Sequence, residues 1–171
     1  MMLIGDRARF AIEFECDPVA SGGEPGPWMF GRIRWWCGGM AVGRYESCSA
    51  IDEIAVTVRR LLGSEAARHS PELMAAPAGE VARIVTDALF SDSDRSDEQI
   101  AADGARYWPF FVSPRSENFD PWDIFVVEGA AGARLIWGPA GQPEVDECDL
   151  RRGEFAGVLR GFLTALGQEG R

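Results

Sequence analysis

The chain has 171 residues, of which 46% are hydrophobic and 26% charged, and its formal net charge is −10. This length suits one domain with a sizeable core, so we expect residues 1–171 to form a single domain. The acidic balance argues against a nucleic-acid-binding protein, which needs a basic face, and against a polybasic membrane anchor. All 17 basic residues are arginine, which excludes Schiff-base and P-loop lysine chemistry.

The first third of the chain predicts three strands. Residues 10–16 alternate apolar and polar side chains, and residues 28–37 do the same; this pattern is typical of half-buried strands. The turn signal at residues 38–39 precedes a third predicted strand at residues 40–45.

The polar faces of the first two predicted strands carry opposite charges. If the strands pair antiparallel, Glu13 and Glu15 lie across from Arg32 and Arg34, which is a favourable cross-strand arrangement. We expect this face to be solvated while the apolar side chains of both strands face the core. The two glutamates could also be paired catalytic carboxylates, about 7 Å apart on one face, but ion pairing explains them more simply.

Two helices are predicted in the middle of the chain. Ser49 and Asp52 have the spacing of a capping box, and apolar residues follow at helical spacing as far as Gly63. A second helix is predicted near residues 78–90. Residues 91–104 (SDSDRSDEQIAADG) are strongly polar, which indicates an exposed loop that could include a short helical turn.

Further strands and a last helix are predicted in the C-terminal part. Residues 108–112 form a predicted strand, residues 123–129 and 133–138 a predicted hairpin, and a short strand is predicted around residues 145–148. The last helix is predicted over residues 150–166. Hairpins at both ends with helices between and after them predict an α+β fold, in which an antiparallel sheet carries about three helices on one face, the C-terminal helix among them.

Glycines recur at every fourth position of the last predicted helix. Gly153, Gly157 and Gly161 lie opposite its apolar stripe, so we expect them to face outward, although each costs about 1 kcal/mol relative to alanine. Either these glycines reflect codon bias on an exposed face without a function, or they form a flat surface that another chain approaches closely.

Motifs for catalysis or metal binding are missing from the sequence. The single histidine, His69, has no neighbouring partners for a catalytic triad, and the four cysteines lack a C-x-x-C spacing. The segment from Asp92 begins like a calcium loop, but Asp97 replaces its turn glycine and Asp103 its bidentate glutamate. We therefore expect no catalytic residue, no metal and no cofactor, and a protein that is not an enzyme.

The N-terminal segment lacks the apolar region of a secretion signal, and no stretch approaches the length of a membrane span. Without a secretion signal, the cysteines are interpreted as reduced thiols. We expect a cytoplasmic protein without a membrane partner.

Several blocks of aromatic residues and glycines follow one another along most of the chain. They are residues 5–15 (GDRARFAIEFE), 35–39 (WWCGG), 42–43 (VG), 119–128 (FDPWDIFVVE), 134–137 (RLIW) and 150–155 (LRRGEF). In this order they resemble the immunity protein 42 family of bacterial polymorphic toxin systems. The resemblance implies a cytosolic antidote that neutralises a partner toxin by binding it, without catalysis, and it supplies no catalytic residues.

An acidic domain without a catalytic constellation is typical of an inhibitor of a basic protein. The expected partner is therefore a basic toxin domain. Many toxin domains are nucleases, which are basic, so a nuclease would fit this expectation. Two dense groups of acidic residues are candidates for the contact, although either group could simply keep a loop soluble. The candidate contact residues are Asp92, Asp94, Asp97 and Glu98 in the first group, and Glu144, Asp146 and Glu147 in the second.

Two alternative functions stay open at this point. A small hydrolase or metal-dependent enzyme would need a pocket in which polar groups converge. A small-molecule-binding or adaptor module would need an apolar cavity of several hundred Å³.

Overall fold

The computed structural model describes residues 1–17, 29–46, 49–91 and 94–167. Within these ranges the chain forms two antiparallel sheets, five α-helices and one 3-10 helix. The α+β class is therefore confirmed, but the strands are divided between two sheets where one was predicted. None of the helices in the described ranges has the length and apolar character needed to cross a membrane.

The first sheet is built by the N-terminal third of the chain. Its strands are β1 (Met2–Gly5), β2 (Phe10–Cys16), β3 (Phe30–Cys37), β4 (Met40–Val42) and β5 (Ser49–Ala50). They lie in the order β1-β2-β3-β4, and β5 also pairs with β3. Strand β1 was not predicted, because its four residues show too little alternation. The predicted strand at residues 40–45 is shorter, and Trp28 lies outside the described residues.

The predicted pairing of β2 with β3 is confirmed. Glu13 lies opposite Arg34 and Glu15 lies opposite Arg32 in the antiparallel register. Ile12 is fully buried on the other face of the sheet. The alternation of side chains determined this register, because a shift of one residue would turn the whole apolar set to solvent.

Helix α1 (Ile51–Gly63) follows β5 and forms as predicted, but its predicted cap is wrong. Ser49 belongs to β5, where it pairs with Gly31, and Ala50 is the N-cap residue without a side-chain hydrogen bond. The carboxylate of Asp52 instead accepts a hydrogen bond from the backbone N–H of Met29. Strand pairing with β3 thus takes Ser49 away from the helix, and Asp52 ties the helix start to the residue before β3.

The second sheet has the order β6-β7-β8. Its strands are β6 (Trp122–Glu128), β7 (Gly132–Pro139) and β8 (Asp146–Arg151). The predicted hairpin is confirmed. The predicted strand at residues 108–112 is wrong, since this segment makes a single bridge, from Phe111 to Phe125. Pro109 lies within this segment and Pro114 follows it, and prolines cannot donate to a ladder of strand hydrogen bonds.

Two short helical elements, the 3-10 helix Glu65–Arg68 and α2 (Pro71–Ala75), lead to α3 (Ala78–Phe90). Helix α3 has the predicted bounds. Helix α4 (Asp97–Tyr107) replaces most of the predicted loop. It begins with a capping box, in which Ser96 and Gln99 exchange hydrogen bonds between side chain and backbone. It has no buried residue, so it lacks the apolar stripe by which a helix is recognised in a sequence.

The last helix, α5 (Glu154–Ala165), begins later than predicted because β8 continues to Arg151. Gly153 precedes the helix in the left-handed region, with φ of 73°. Gly157 is exposed as predicted, but Gly161 is not free. A Cβ atom at Gly161 would lie 2.7 Å from Cγ2 of Ile4 in β1. The expectation of a continuous outward glycine face is therefore wrong.

Helices and sheets enclose two apolar clusters. Helices α1 and α5 pack on one face of the first sheet, around Trp35 and Phe155, and one face of the second sheet joins this cluster through Ile124 and Val126. Phe125 and other side chains on the opposite face of the second sheet contact α2 and α3 in the second cluster. The second sheet is thus covered on both faces, whereas the described helices cover the first sheet on one face only.

Candidate partner-binding surfaces

Side chains suited to metal binding or nucleophilic catalysis are scattered in this fold. In the described ranges, no group of three or more His, Cys, Asp or Glu side chains could hold a metal ion. Cys16, Cys37 and Cys148 are free thiols, while Cys48 lies outside the described residues. Burial raises the pKa of Cys148 to about 11 and that of Cys37 well above its usual value. Both thiols are thus protonated near neutral pH and are poor nucleophiles.

The first group of candidate acidic residues lies at the start of α4. Asp94, Asp97 and Glu98 are exposed, and Asp92 lies outside the described residues. Asp97 and Glu98 occupy the first helical turn, where negative charge interacts favourably with the helix dipole. Two of the acids therefore have a local structural role, while all three described side chains present their charge to solvent.

Glu144 and Asp146, in the second acidic group, are exposed, but Glu147 has a partner. Nε of Arg134 donates to the Glu147 carboxylate at 2.8 Å, and Nη1 of Arg134 donates to the carbonyl oxygen of Ala76 at 2.6 Å. Arg134 thus links β8 to the end of α2. This ion pair was missed because Arg134 and Glu147 are separated in sequence and meet only across two strands.

A small open groove lies beside the second acidic group. It has a volume of about 250 Å³, and its walls include Arg83 and Asp87 from α3 and Pro143 and Val145 before β8. Ligand pockets usually measure about 300–1,000 Å³ and are enclosed. The groove is smaller and open, so it gives little support to a small-molecule-binding module.

The outward face of the first sheet carries an ordered set of arginine and aromatic side chains. The guanidinium carbons of Arg7 and Arg34 lie 4.7 and 4.8 Å from the ring centroid of Trp36. That of Arg34 also lies 4.7 Å from the ring centroid of Tyr45. These are cation–π distances, and the four residues are called the arginine–aromatic stack below.

Glu13 lies at the base of this stack and is buried, with 2% of its side chain exposed. Its carboxylate accepts hydrogen bonds from Arg7 at 3.0 Å, from Arg34 at 3.1 Å and from Nε1 of Trp36 at 2.7 Å. The expectation that this face is solvated is therefore wrong at Glu13, because the stack folds over its carboxylate. Because Arg7 and Arg34 both bind the Glu13 carboxylate, Glu13 and Glu15 do not form the pair of available carboxylates that a glycosidase needs.

The pKa of Glu13 reflects these contacts. Burial by itself would raise the pKa, but hydrogen bonds from Arg34 and Trp36 and the charges of Arg34 and Arg7 outweigh burial. The pKa of Glu13 is consequently held below its ordinary value, and the group is ionised at neutral pH.

Part of the stack could have been found in the sequence. Alternation in β3 places Trp36 on the same face as Arg32 and Arg34, which marks an aromatic residue on the outward side. Arg7 lies in the turn between β1 and β2, and its position over Trp36 depends on how that turn folds back. No sequence pattern predicts such a contact.

A second buried charge is that of Arg68, which lies beside Glu128 of β6 and the ring of Phe155 in α5. Its side chain is 0% exposed, Nη1 donates to the carbonyl oxygen of Leu61 at 2.7 Å, and Nε lies 4.0 Å from Oε1 of Glu128. Nε and Nη2 of Arg68 and Oε1 of Glu128 are buried without hydrogen-bond partners among the described residues. Burial lowers the pKa of Arg68 and raises that of Glu128.

Two comparisons with known proteins find similarity, one to a protein family and one to a solved structure. A family model described as Immunity protein 42 matches residues 2–165. The crystal structure of CdiI from Burkholderia dolosa AUO158 is similar over 96% of this chain and 99% of that chain, with a TM-score of 0.72 and 27% sequence identity. Curated protein sequences include no match.

Proposed function

The chain belongs to the immunity protein 42 family, and from this premise we propose how it acts on its toxin. It is an immunity protein of a bacterial toxin system, and its partner is the cognate toxin. The observation that carries this conclusion is the match of the family model to residues 2–165. We propose that the protein neutralises the toxin as a single domain, by direct stoichiometric contact and without a catalytic step.

The cognate toxin domain is proposed to be basic, as nucleases are because they bind phosphates. Support comes from the net charge of −10 and from the exposure of Asp94, Asp97 and Glu98 at one end of α4. Opposite charge on two partners accelerates encounter and disfavours wrong partners. We place this encounter in the cytoplasm, where the free thiols would stay reduced.

We propose the residues of the two acidic groups as the toxin contacts, but they are not equally available for binding. Asp94, Asp97, Glu98, Glu144 and Asp146 are exposed and could each meet a basic side chain. Glu147 would have to exchange its bond with Arg134 for a toxin contact. The acidic residues at the start of α4 are therefore the first to test.

The test measures association and dissociation rates with the toxin domain, sought as the polymorphic C-terminal end of the large protein encoded immediately upstream. The variant Asp97→Arg/Glu98→Arg should associate more slowly, and the wild-type association rate should fall as salt rises. Its matched control is Glu53→Arg/Glu80→Arg, which reverses two exposed acids in the first turns of α1 and α3 and changes the net charge equally.

Four outcomes separate the parts of this proposal. Equal slowing by both variants would assign the effect to net charge, and insensitivity to salt and reversal would refute the acidic contact. Absence of any binding would refute direct neutralisation. Titration of toxin activity should end at one immunity protein per toxin, with the toxin recovered intact; inactivation by much less than one equivalent would indicate an enzyme instead.

A further inference from the structure

The outward face of the first sheet is open in the described structure. Leu3 on this face is 42% exposed, the Arg7 side chain is 46% exposed, and Arg32 and Trp36 also reach the surface. An antiparallel sheet commonly leaves one face to water, but that face is then polar. Here it carries a tryptophan, a tyrosine and several arginines, so solvation alone does not explain its composition.

The arginine–aromatic stack is held in one arrangement before any partner binds. Glu13 accepts hydrogen bonds from three side chains, those of Arg7, Arg34 and Trp36. The two guanidinium groups also lie over the Trp36 ring. Each arginine side chain is therefore restrained both by its bond to Glu13 and by its contact with the ring. Because these side chains are already ordered, binding of a partner here costs the protein little side-chain entropy.

The charge of the stack differs from that of the whole chain. Arg7 and Arg34 supply two positive charges and Glu13 supplies one negative charge, so the cluster carries one net positive charge within a chain of net −10. Arg34 uses Nε and Nη2 toward Glu13, and arginine has five N–H donors. Donors therefore remain that suit a planar carboxylate.

Together these observations identify an interaction surface. We propose that the arginine–aromatic stack is the short-range anchor for the cognate toxin, and that it receives a toxin segment carrying a carboxylate beside a flat apolar side chain. Tryptophan, tyrosine and arginine dominate the residues that contribute most to binding energy in protein interfaces. This inference rests on the proposed function, since it requires that the toxin binds directly.

The anchor and the acidic groups would then affect different steps of binding. Exposed charges at a distance govern the association rate, whereas groups buried at the centre of an interface govern the dissociation rate. A basic toxin drawn toward the acidic end of α4 would thus be retained by the contact of its acidic segment with Arg7, Arg34 and Trp36.

The first experiment measures dissociation of the toxin domain from variants of the stack. Arg7→Ala and Trp36→Ala should each raise the dissociation rate by at least about 30-fold, the effect of truncating a dominant interface residue. Arg7→Glu should weaken binding further, because it would repel the toxin carboxylate; tighter binding by Arg7→Glu would refute the acidic segment. The matched controls are Arg160→Ala and Phe90→Ala, which remove an exposed arginine of α5 and an exposed aromatic ring of α3 and should dissociate like wild type.

A second measurement does not depend on the folding of the variants. Hydroxyl-radical footprinting of wild-type protein should show that Trp36 and Tyr45 become protected when the toxin binds. Toxin binding that leaves both residues reactive, or folded stack variants with wild-type dissociation rates, would overturn the anchor while leaving the proposed function intact. Protection in the free protein at rising concentration, not displaced by toxin, would assign this face to a second copy of the chain and would also overturn the inference. Failure of the wild type to bind toxin would refute the proposed function itself.

Discussion

The carboxylate of Glu13 in β2 and the indole of Trp36 in β3 are joined by a hydrogen bond of 2.7 Å between Oε2 and Nε1. The two residues are not opposite each other, since Glu13 pairs with Arg34 and Trp36 pairs with Ala11. The bond therefore runs diagonally across the outward face, within the reach of long side chains on neighbouring strands. It completes the set of three donors that allows a carboxylate to be buried on this face.

Replacement of Glu13 should change the pH dependence of stability. A carboxylate whose pKa is lowered in the folded state stabilises the fold above its unfolded-state pKa and loses that contribution as pH falls through the folded-state pKa. The pKa of Glu13 is lowered in this way. We expect Glu13→Gln to reduce the free energy of unfolding by about 1–3 kcal/mol at pH 7, and this deficit to shrink below about pH 4. Urea denaturation across this pH range measures both effects, and a deficit that is constant with pH would contradict the assignment.

Truncation of Trp35 should be among the most damaging changes to the core. Trp35 is fully buried, and its ring lies 5.3 Å from that of Phe10 and 5.6 Å from that of Phe119. We expect Trp35→Ala to cost about 3–5 kcal/mol in the free energy of unfolding, measured by denaturation. Trp122 is only half-buried, so Trp122→Ala should cost less. A Trp35→Ala protein that keeps its stability but loses toxin binding would place Trp35 at the interface instead.

The glycines of α5 provide a matched pair. A Cβ atom at Gly157 meets no atom within 4 Å, whereas one at Gly161 would lie 2.7 Å from Ile4. Alanine is about 1 kcal/mol more favourable than glycine in a helix, so Gly157→Ala should raise the melting temperature. Gly161→Ala should gain less or lose stability, because β1 must move away. Equal gains from both substitutions would show that Ile4 does not pack against this helix.

The buried pair of Arg68 and Glu128 should show energetic coupling. Their closest charged atoms are 4.0 Å apart, and both residues have buried polar atoms without hydrogen-bond partners in the described part of the chain. We expect Glu128→Gln and Arg68→Met each to destabilise the fold, since each leaves a buried group without its countercharge. The double variant should be less destabilised than the sum by about 0.5–3 kcal/mol, as determined from a double-mutant cycle. Additive effects would mean that the two charges do not interact.

Local patterns predicted most of the helices and strands, and the exceptions have identifiable causes. Helix α3 has its predicted bounds, and β2 and β3 pair in the predicted register, because an apolar stripe or an alternation is a property of neighbouring residues. Helix α4 was missed because no residue in it is buried, and only its capping box marks its start. Ser49 has the spacing of a helix cap, but it pairs with Gly31 of β3, and a partner so distant in the sequence leaves no local signal.

The amino-acid sequence by itself determined the α+β class, the pairing of Glu13 with Arg34 and the resemblance to the immunity protein 42 family. These depend on residue order and on side-chain periodicity, and both are properties of the linear sequence. The tertiary structure alone decided that the strands form two sheets, that Glu13 is buried under Arg7 and Trp36, and that Glu147 is bonded to Arg134. Each of these depends on which face of an element another element covers. That choice is made by packing between distant segments, and no local pattern records it.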